Sequence, residues 1–299
     1  MFIYDVDVSA TSRFLDAHPL TPTTACKNVS TVGLSAETII TILPADAHAR
    51  DVYSQILTES TTLFHKTFID CSTIAPSTSL EILTQFPRET RFFDAPVSGG
   101  PMGAEKATLT FMLGGSEEEL ATLRPLLELM GSPTSIFACG NRGQGLAVKL
   151  ANNYLSGLVS IATCEAYNFG MKTGLDPKLM QRIFSSSTAQ NWVSDKCNPV
   201  PGLSPGTPPS NGYKPGFKVE MMAKDFGLAL KAMEEVGAST ELGTKGEEIY
   251  RTVGEDERFR GMDSRVIFQA IGGGERRGRV GETIEFDTQT QEMQHRDDK

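Results

Sequence analysis

A lysine and an asparagine stand four residues apart just after a glycine-rich turn, and together they could carry out proton transfer. They are Lys149 and Asn153, and the turn contains glycines at positions 140, 143 and 145. If the chain from Leu146 onward is helical, side chains four residues apart lie on the same side of that helix. A cation and an amide in this arrangement could hold a hydroxyl group and accept its proton. A surface lysine and a capping asparagine on an ordinary helix would show the same spacing.

Two glycines follow a serine within the segment 94–101, and this pattern suits the binding of a small anion. Ser98 offers a hydroxyl group, and Gly99 and Gly100 leave their backbone N–H groups accessible. Together these groups suit a carboxylate. A plain glycine turn between two strands would have the same sequence, so both interpretations stay open at this point.

Other candidates stand at the ends of predicted strands or at the start of a predicted helix. Asp5 ends the first apolar run, where an acid can accept hydrogen bonds from a ribose or cap a helix. Leu43-Pro44 and Ser72-Thr73 each follow a strand directly, and they could lie along a cofactor or form a turn. Lys224, beside Asp225, could reach a cofactor or remain solvated.

Strands and helices alternate through the first half of the chain. The predicted strands are 2–7, 38–44, 67–71, 91–97, 107–113 and 135–138, and the predicted helices are 9–17, 46–57, one from 76 onward and 117–130. We expect Ser9 to cap the first helix and residues 98–103 to form a loop. The alternation predicts a mainly parallel sheet covered by helices, with binding sites at the carboxyl ends of the strands.

The second half is predicted to be helical throughout. Its helices are predicted at 146–171, 176–185, 219–236, 241–253 and 263–270. The stretch 198–217 between them is rich in proline and glycine, and an ordered loop of that length is often functional. After Gly272 the chain turns polar and charged, which predicts a disordered tail over 272–299.

Composition narrows the class of protein. The 299 residues are 39% hydrophobic and 22% charged, which suits a globular protein with a sizeable core. A formal charge of −9 argues against a nucleic-acid partner, and no apolar run has the length of a membrane span. The five cysteines are scattered, the four histidines show no metal-ligand spacing, and the first residues do not resemble a targeting peptide. We therefore expect an intracellular protein without a bound metal.

Taken together, four motifs resemble the β-hydroxyacid dehydrogenase family over residues 2–271, in register and without large gaps. The motifs are residues 70–76, 93–100, 143–153 and 222–225. The loop at 198–202 and 216–217 is similar to the branch of that family that acts on 3-hydroxyisobutyrate. The resemblance implies an N-terminally truncated Rossmann-type dinucleotide-binding domain at 1–140 and an all-α substrate and dimerisation domain at 141–271.

The same resemblance implies a reaction, the reversible NAD-dependent oxidation of 3-hydroxyisobutyrate to methylmalonate semialdehyde in valine breakdown. Lys149 falls on the family's catalytic lysine, and Asn153 on the asparagine that positions the substrate. The substrate carboxylate site falls on Ser98, Gly99 and Gly100. The cofactor contacts fall on Leu43, Pro44, Thr73 and Lys224, with Asp5 as the acid that selects NAD. A lysine acts as a base near neutral pH only where burial or nearby positive charge lowers its pKa.

The sequence departs from the family at its beginning. The family opens with a strand and a Gly-x-Gly-x-x-Gly turn that receives the pyrophosphate, and none of the 299 residues forms that motif. Loss of this strand, which lies centrally in the sheet, would leave two strand edges unpaired and apolar surface uncovered. The chain is then either an incomplete copy of a working enzyme or a short form with at most a binding or regulatory role. A strand at 281–286 is a weaker candidate for filling the gap.

Three further expectations follow from the resemblance. A related semialdehyde or glyoxylate reductase is the alternative enzyme, and Asp5 disfavours the NADP preference common among those reductases. The family's helical domain commonly makes dimers and tetramers, so we expect a homo-oligomer. Eukaryotic relatives work in mitochondria, which makes that compartment the expected location, with the cytoplasm as the alternative.

Overall fold

The computed structural model describes residues 1–59, 63, 65–273, 276–277 and 283–284. The chain divides into two compact units. The first comprises Met1–Asn152 and Leu228–Ser239, and the second comprises Asn153–Gly227 and the chain from Thr240 onward. This division falls inside a long helix, beyond the domain boundary predicted after residue 140, and a short later segment belongs to the first unit.

The first unit alternates strands and helices. Its strands are β1 Phe2–Ile3, β2 Thr24–Ala25, β3 Thr38–Thr41, β4 Thr67–Asp70, β5 Arg91–Asp94, β6 Val97–Ser98, β7 Leu109–Leu113 and β8 Gly131–Ala138. Its helices are α1 Val8–Ala17, α2 Val29–Ser35, α3 Asp46–Glu59, α4 Pro76–Thr84, α5 Gly100–Glu105 and α6 Glu117–Leu127. The predicted alternation is confirmed in its order.

Three parallel strands, β3, β4 and β5, form the sheet that positions the candidate site. Every residue of β4 is buried because this strand lies between two others and is covered on both faces. On one face, rings of an aromatic cluster meet at centroid distances such as 4.7 Å for Phe68 and Phe86 and 5.4 Å for Tyr53 and Phe92. On the other face, Ile69 and Phe93 join a second apolar cluster.

The sheet is interrupted on the other side of β3. Among the described residues, β1 pairs with β2 alone, and β3 has β4 as its single neighbour. Ile40 and Ile42 are 42% and 70% exposed beside this open edge, and α1 has no buried residue. Among the described residues, this edge of β3 is therefore unpaired and carries exposed apolar side chains.

The second unit is helical. It contains most of α7 Gln144–Lys172, then α8 Pro177–Ser185, α9 Trp192–Lys196, the beginning of α10 Val219–Glu235, α11 Gly243–Glu255 and α12 Ile267–Ala270. Its core surrounds Phe226, whose ring lies 5.2 Å from that of Tyr250. A side chain at Gly157 or Gly246 would collide with the Phe226 ring, so glycine at these positions allows the helices to pack closely. No helix in the described part of the chain has the length and apolar character needed to cross a membrane.

Several local predictions were wrong. Asp7, and not Ser9, caps α1, since its Oδ1 accepts a hydrogen bond of 2.9 Å from the Ser9 backbone N–H. Residues 100–103 of the predicted loop form the first part of helix α5. Strand β2 and helices α2 and α9 were not predicted, because elements of seven residues or fewer give little periodic signal. Most of the predicted tail at 272–299 lies outside the described residues. Thr283–Ile284, part of the weaker candidate strand, pairs with Arg276–Arg277 and not with β3.

Candidate active site

A buried carboxylate fixes the beginning of α7, the helix that carries the predicted proton-transfer residues. Asp94 lies at the end of β5, and its Oδ1 accepts a hydrogen bond of 2.7 Å from the Gly143 N–H. Its Oδ2 accepts a second bond of 3.0 Å from the Leu146 N–H. Burial raises the pKa of Asp94, while these two backbone bonds act in the opposite direction. One side chain therefore satisfies the N–H group of Gly143, just before α7, and that of Leu146 in its first turn.

The glycines of this turn make room for the protein's own backbone. A Cβ atom at Gly145 would collide with the carbonyl oxygen of Met112 in β7. Gly114, which directly follows β7, lies against the same region, and a Cβ atom there would collide with the Asp94 carboxylate. Gly140 and Gly143 adopt φ values of 104° and 84°, in the left-handed region that favours glycine. Strand β7 and Asp94 therefore lie directly against this part of the chain.

Arg142 binds the same turn to the sheet and to α6. Its Nε donates to the Phe92 carbonyl oxygen at 2.5 Å, and its Nη1 donates to the Gly114 carbonyl oxygen at 2.8 Å. Both terminal nitrogens also bind Glu119, at 3.0 Å and 2.6 Å. The guanidinium lies 4.1 Å from the centre of the Phe93 ring, a cation–π distance. Hydrogen bonding to Arg142 lowers the pKa of Glu119 to about 2.

This ion pair should make stability depend on pH. The pKa of Glu119 is lower in the folded chain than its ordinary value of 4.5, so the stabilisation is complete above pH 4.5 and is lost as the pH falls toward 2. Because the Glu119 side chain is 39% exposed and therefore screened, we expect only about 1 kcal/mol. Urea unfolding of Glu119→Gln should show this deficit at pH 7 and a much smaller one at pH 3.

The matched control is Glu118→Gln, which changes the neighbouring, exposed glutamate of the same helix turn. We expect a change of less than about 0.5 kcal/mol at either pH. Equal deficits for the two variants at pH 7 would remove the Arg142 pair as the cause.

Lys149 and Asn153 are buried on α7 and stand one helical turn apart. Lys149 is 7% exposed and belongs to the first unit, while Asn153 is 6% exposed and begins the second. Lysine is rarely buried to this extent in a globular protein unless its charge is paired. The predicted spacing on a single helix is confirmed.

In the second unit, Asn153 contacts a buried acid. Its Nδ2 donates a hydrogen bond of 2.6 Å to Oδ2 of Asp225, a residue of α10 that is 2% exposed. The other oxygen of Asp225 lies 3.2 Å from Nζ of Lys224. Lys224 and Asn153, predicted as a cofactor contact and a substrate contact, are therefore both next to Asp225.

The predicted carboxylate-binding segment forms a sharp turn. β6 ends at the half-buried Ser98, and Gly99 and Gly100 follow with φ values of 133° and 63°. Nothing lies within 4 Å of the place where a Cβ would project from Gly100, so this side of the turn faces open space. An added side chain here would be strained and would also fill that space.

The predicted cofactor contacts of the first unit follow two adjacent strands. Thr41, Asp70 and Asp94 are paired in register across β3, β4 and β5. Beyond them, the Leu43 N–H donates to Oγ of Ser72 at 2.8 Å, which ties the two strand ends together. Pro44 is exposed, and Leu43 and Thr73 are half-buried. These positions therefore lie off the carboxyl ends of neighbouring parallel strands, where such sheets bind ligands.

A buried network supports these strand ends. Oδ1 of Asp70 accepts hydrogen bonds from Oγ of Ser72 at 2.5 Å and from Oγ1 of Thr41 at 2.9 Å, and Thr41 also bonds to the Tyr53 hydroxyl at 2.6 Å. Burial raises the pKa of Asp70. The network fixes the backbone from which Leu43 and Thr73 extend.

Asp5 does not follow any of the three strands β3, β4 and β5. It lies in the exposed segment between β1 and α1. Its Oδ1 accepts a hydrogen bond of 2.8 Å from the Asp7 N–H. No role was predicted for Asp94, Arg142 or Asp225, although Asp94 and Asp225 belong to motifs that carry the family resemblance. Their partners are distant in the chain, so no local spacing could have indicated their roles.

Comparisons with known proteins agree with this arrangement. A family model for the NAD binding domain of 6-phosphogluconate dehydrogenase matches residues 1–141. A second, described as NAD-binding of NADP-dependent 3-hydroxyisobutyrate dehydrogenase, matches residues 143–274. No group of three or more His, Cys, Asp or Glu side chains able to hold a metal ion occurs in the described ranges.

Individual relatives are similar over most of their length. The chain is 39% identical to mitochondrial 3-hydroxyisobutyrate dehydrogenase of Bos taurus over 84% of this chain and 74% of that one. It is 39% identical to 3-hydroxyisobutyrate dehydrogenase of Pseudomonas aeruginosa over 76% and 77% of the two chains. The solved structure of Mycobacterium tuberculosis 3-hydroxyisobutyrate dehydrogenase with L-serine has a TM-score of 0.79 and 32% identity, covering 90% of this chain and 89% of that one.

The Rossmann-type unit, the helical unit that follows and the matches to known families define a dehydrogenase that uses a nicotinamide dinucleotide. The motif-based resemblance is thereby confirmed. The chain belongs to the 3-hydroxyisobutyrate dehydrogenase family.

Proposed function

We propose that this chain catalyses the reversible oxidation of 3-hydroxyisobutyrate to methylmalonate semialdehyde, with NAD as the cofactor and Lys149 as the general acid and base. The observation that carries the proposal is a buried lysine and a buried asparagine one turn apart on a helix whose first turn is fixed by Asp94. The names of the relatives support the substrate, which belongs to valine breakdown.

The proposed substrate site uses the turn after β6. The substrate carboxylate accepts hydrogen bonds from the Ser98 hydroxyl and from the backbone N–H groups of Gly99 and Gly100. The open space beside Gly100 supports this role, because a substrate can approach the backbone there. Anchoring at the carboxylate holds the far end of the substrate, so that its hydroxyl group can be directed toward the catalytic residues.

Lys149 performs the proton transfer in this proposal. In the oxidation direction, Nζ of Lys149 accepts the hydroxyl proton, and in the reduction direction it returns the proton to the new alcohol oxygen. Asn153 positions the reacting group beside it. Oxidised nicotinamide supplies the hydride acceptor when it is bound.

The residues predicted to contact the cofactor offer groups of the kind that bind a dinucleotide. Leu43, Pro44 and Thr73 offer backbone and hydroxyl groups at the ends of β3 and β4, and Lys224 offers a positive charge. Asp5 supports NAD over NADP, because an acid near the adenosine ribose repels a 2′-phosphate. The sequence has no glycine-rich phosphate turn, which makes cofactor affinity the quantity to measure first.

The test combines calorimetric titration with NAD and NADP and activity assays with each cofactor. The substrates are 3-hydroxyisobutyrate, 3-hydroxypropionate, glyoxylate and succinic semialdehyde. The proposal requires NAD binding and a higher kcat/KM for 3-hydroxyisobutyrate than for the others. Preferred reduction of glyoxylate or succinic semialdehyde would assign a related reductase, and absence of NAD binding would assign a non-catalytic relative. The mitochondrial names of several relatives support a mitochondrial location.

We further propose that the chain forms a homo-oligomer through an apolar stripe on α7 whose residues are exposed or half-buried. The stripe consists of Leu155, Val159, Ala162, Ala166 and Phe169, which follow the alternating four- and three-residue spacing of a helix–helix seam. Leu155 and Phe169 are 62% and 73% exposed. In an antiparallel pair centred on Ala162, each Leu155 faces the other copy's Phe169, so that the stripe complements itself.

A charge placed at the centre of the stripe should break the oligomer. We expect Ala162→Glu to shift the molar mass measured by light scattering from that of an oligomer to that of a 32.4 kDa monomer. Ala121→Glu makes the same change on an exposed position of α6 and should leave the mass unchanged. An unchanged mass for Ala162→Glu would place the interface elsewhere.

A further inference from the structure

Asp225 is a buried carboxylate to which the proposed reaction assigns no task. It lies on α10, is 2% exposed, and accepts the 2.6 Å hydrogen bond from Nδ2 of Asn153. We infer that Asp225 is a positioning residue that fixes the orientation of the Asn153 amide, so that Asn153 serves the reaction as a hydrogen-bond acceptor through Oδ1. This inference rests on the proposed function, because it assumes that Asn153 is part of the site.

The orientation follows from the chemistry of the two side chains. An ionised carboxylate can only accept hydrogen bonds, whereas an amide has a donating nitrogen and an accepting oxygen. Rotating the Asn153 amide by half a turn would place its Oδ1, in place of Nδ2, 2.6 Å from Oδ2 of Asp225, so that two acceptors would face each other. Such a contact between buried acceptors is strongly unfavourable. The nitrogen of Asn153 is therefore held against Asp225, and its carbonyl oxygen points away from Asp225.

Burial and charge make this orientation strong. Both partners are more than nine-tenths buried, so water cannot readily replace either side of the bond. The second oxygen of Asp225 lies 3.2 Å from Nζ of Lys224, which compensates the negative charge without using the oxygen that binds Asn153. Helix α10 therefore carries a predicted cofactor contact, Lys224, and beside it the acid that binds a predicted substrate contact, Asn153.

The orientation defines the role of Asn153. Its carbonyl oxygen is suited to accept a hydrogen bond from a hydroxyl group or from a protonated lysine amine. Either bond would hold the proton that Lys149 exchanges in the proposed reaction. A carboxylate at position 153 could accept such a bond equally well, provided that its new charge did not face Asp225.

An exchange of the two side chains tests the inference. Asn153→Asp alone places two carboxylates together, and we expect kcat to fall at least about 100-fold. The double variant Asn153→Asp with Asp225→Asn restores one donor–acceptor pair and again presents an oxygen at position 153. We expect this double variant to recover at least about 10-fold of the lost kcat. No recovery would overturn the acceptor role, because a site that needs a donor at position 153 cannot use a carboxylate.

Asp225→Ala alone, which leaves no acceptor for the Asn153 amide, separates the two neighbours of Asp225. If Asp225 acts through Asn153, kcat should fall roughly 10-fold or more with little change in the KM for NAD. If it acts only through Lys224, the KM for NAD should rise instead, and the inference is wrong. In an Asn153→Ala background, Asp225→Ala should then change kcat by less than about 2-fold. Additive losses would also count against the inference.

A measurement without turnover keeps the inference separate from the proposed function. The side-chain amide hydrogens of Asn153, assigned in NMR spectra by their loss in Asn153→Asp, should exchange slowly with solvent and should exchange much faster in Asp225→Ala. Thermal unfolding identifies any variant that is not folded. An inactive wild-type chain with a protected amide would refute the proposed function and leave the orientation intact. A rapidly exchanging wild-type amide would refute the orientation.

Discussion

Replacing Lys149 with alanine should lower kcat by about 10²- to 10⁴-fold, the range that general acid–base catalysis supplies. The lysine is the buried cation one turn before Asn153, and alanine cannot accept or return the hydroxyl proton. Alanine also preserves the helix, because it has the highest helix propensity. The affinity for NAD should change little, since the proposed cofactor contacts are other residues.

The measurement pairs steady-state kinetics with calorimetric NAD titration. Lys172→Ala provides the control, because it makes the same substitution on an exposed position in the last turn of α7. That control should retain wild-type kcat within about 2-fold. Near-normal turnover in Lys149→Ala would remove this lysine from the mechanism. Loss of NAD affinity together with turnover would instead assign it to cofactor binding.

Replacing Asp94 with alanine should lower the free energy of unfolding by about 3 kcal/mol. The substitution leaves the buried N–H groups of Gly143 and Leu146 without their acceptor. It also leaves empty the space against which Gly114 and Gly145 pack. Removing Asp94 also removes the cost of burying its charge, which is the burial that raises its pKa, but this gain offsets only part of the loss.

Urea unfolding at pH 7 measures the effect of this substitution. An ordinary exposed cap provides the comparison, since Asp176 accepts a single 3.0 Å hydrogen bond from the Lys178 N–H at the beginning of α8. Asp176→Ala should cost about 1 kcal/mol. A cost for Asp94→Ala no larger than this would show that water replaces the carboxylate, and that Asp94 is not what fixes the beginning of α7.

Long periodic elements could be predicted from the sequence, and short ones could not. The predicted helix at 146–171 is found at Gln144–Lys172, because a helix of that length has few breakers and many periodic positions. Helix α2, by contrast, has only seven residues, and it is stabilised by packing against another helix. Its Gly33 lies so close to Ile56 of α3 that an added Cβ would need the isoleucine to move.

The same distinction applies to the candidate site. Lys149 and Asn153 could be found by their spacing because both lie on one helix. Asp94 bonds to Gly143 and Leu146, which are 49 and 52 residues away in the chain. Asp225 bonds to Asn153, which is 72 residues away. Contacts of this kind depend on the folded arrangement of strands and helices, and no periodic pattern in the chain encodes them. Resemblance of motifs located Asp225 without assigning it a role.

The exposure of residues 1–28 has a consequence for the lifetime of the folded protein. None of residues 1–28 is buried, and the first buried side chain is Val29. Local unfolding of this segment therefore costs little free energy, and proteases cleave such segments first. Cleavage there would leave the cores around β4 and Phe226 intact. It would also remove Asp5, the residue proposed to favour NAD over NADP, while Lys149 and Asn153 would remain in place.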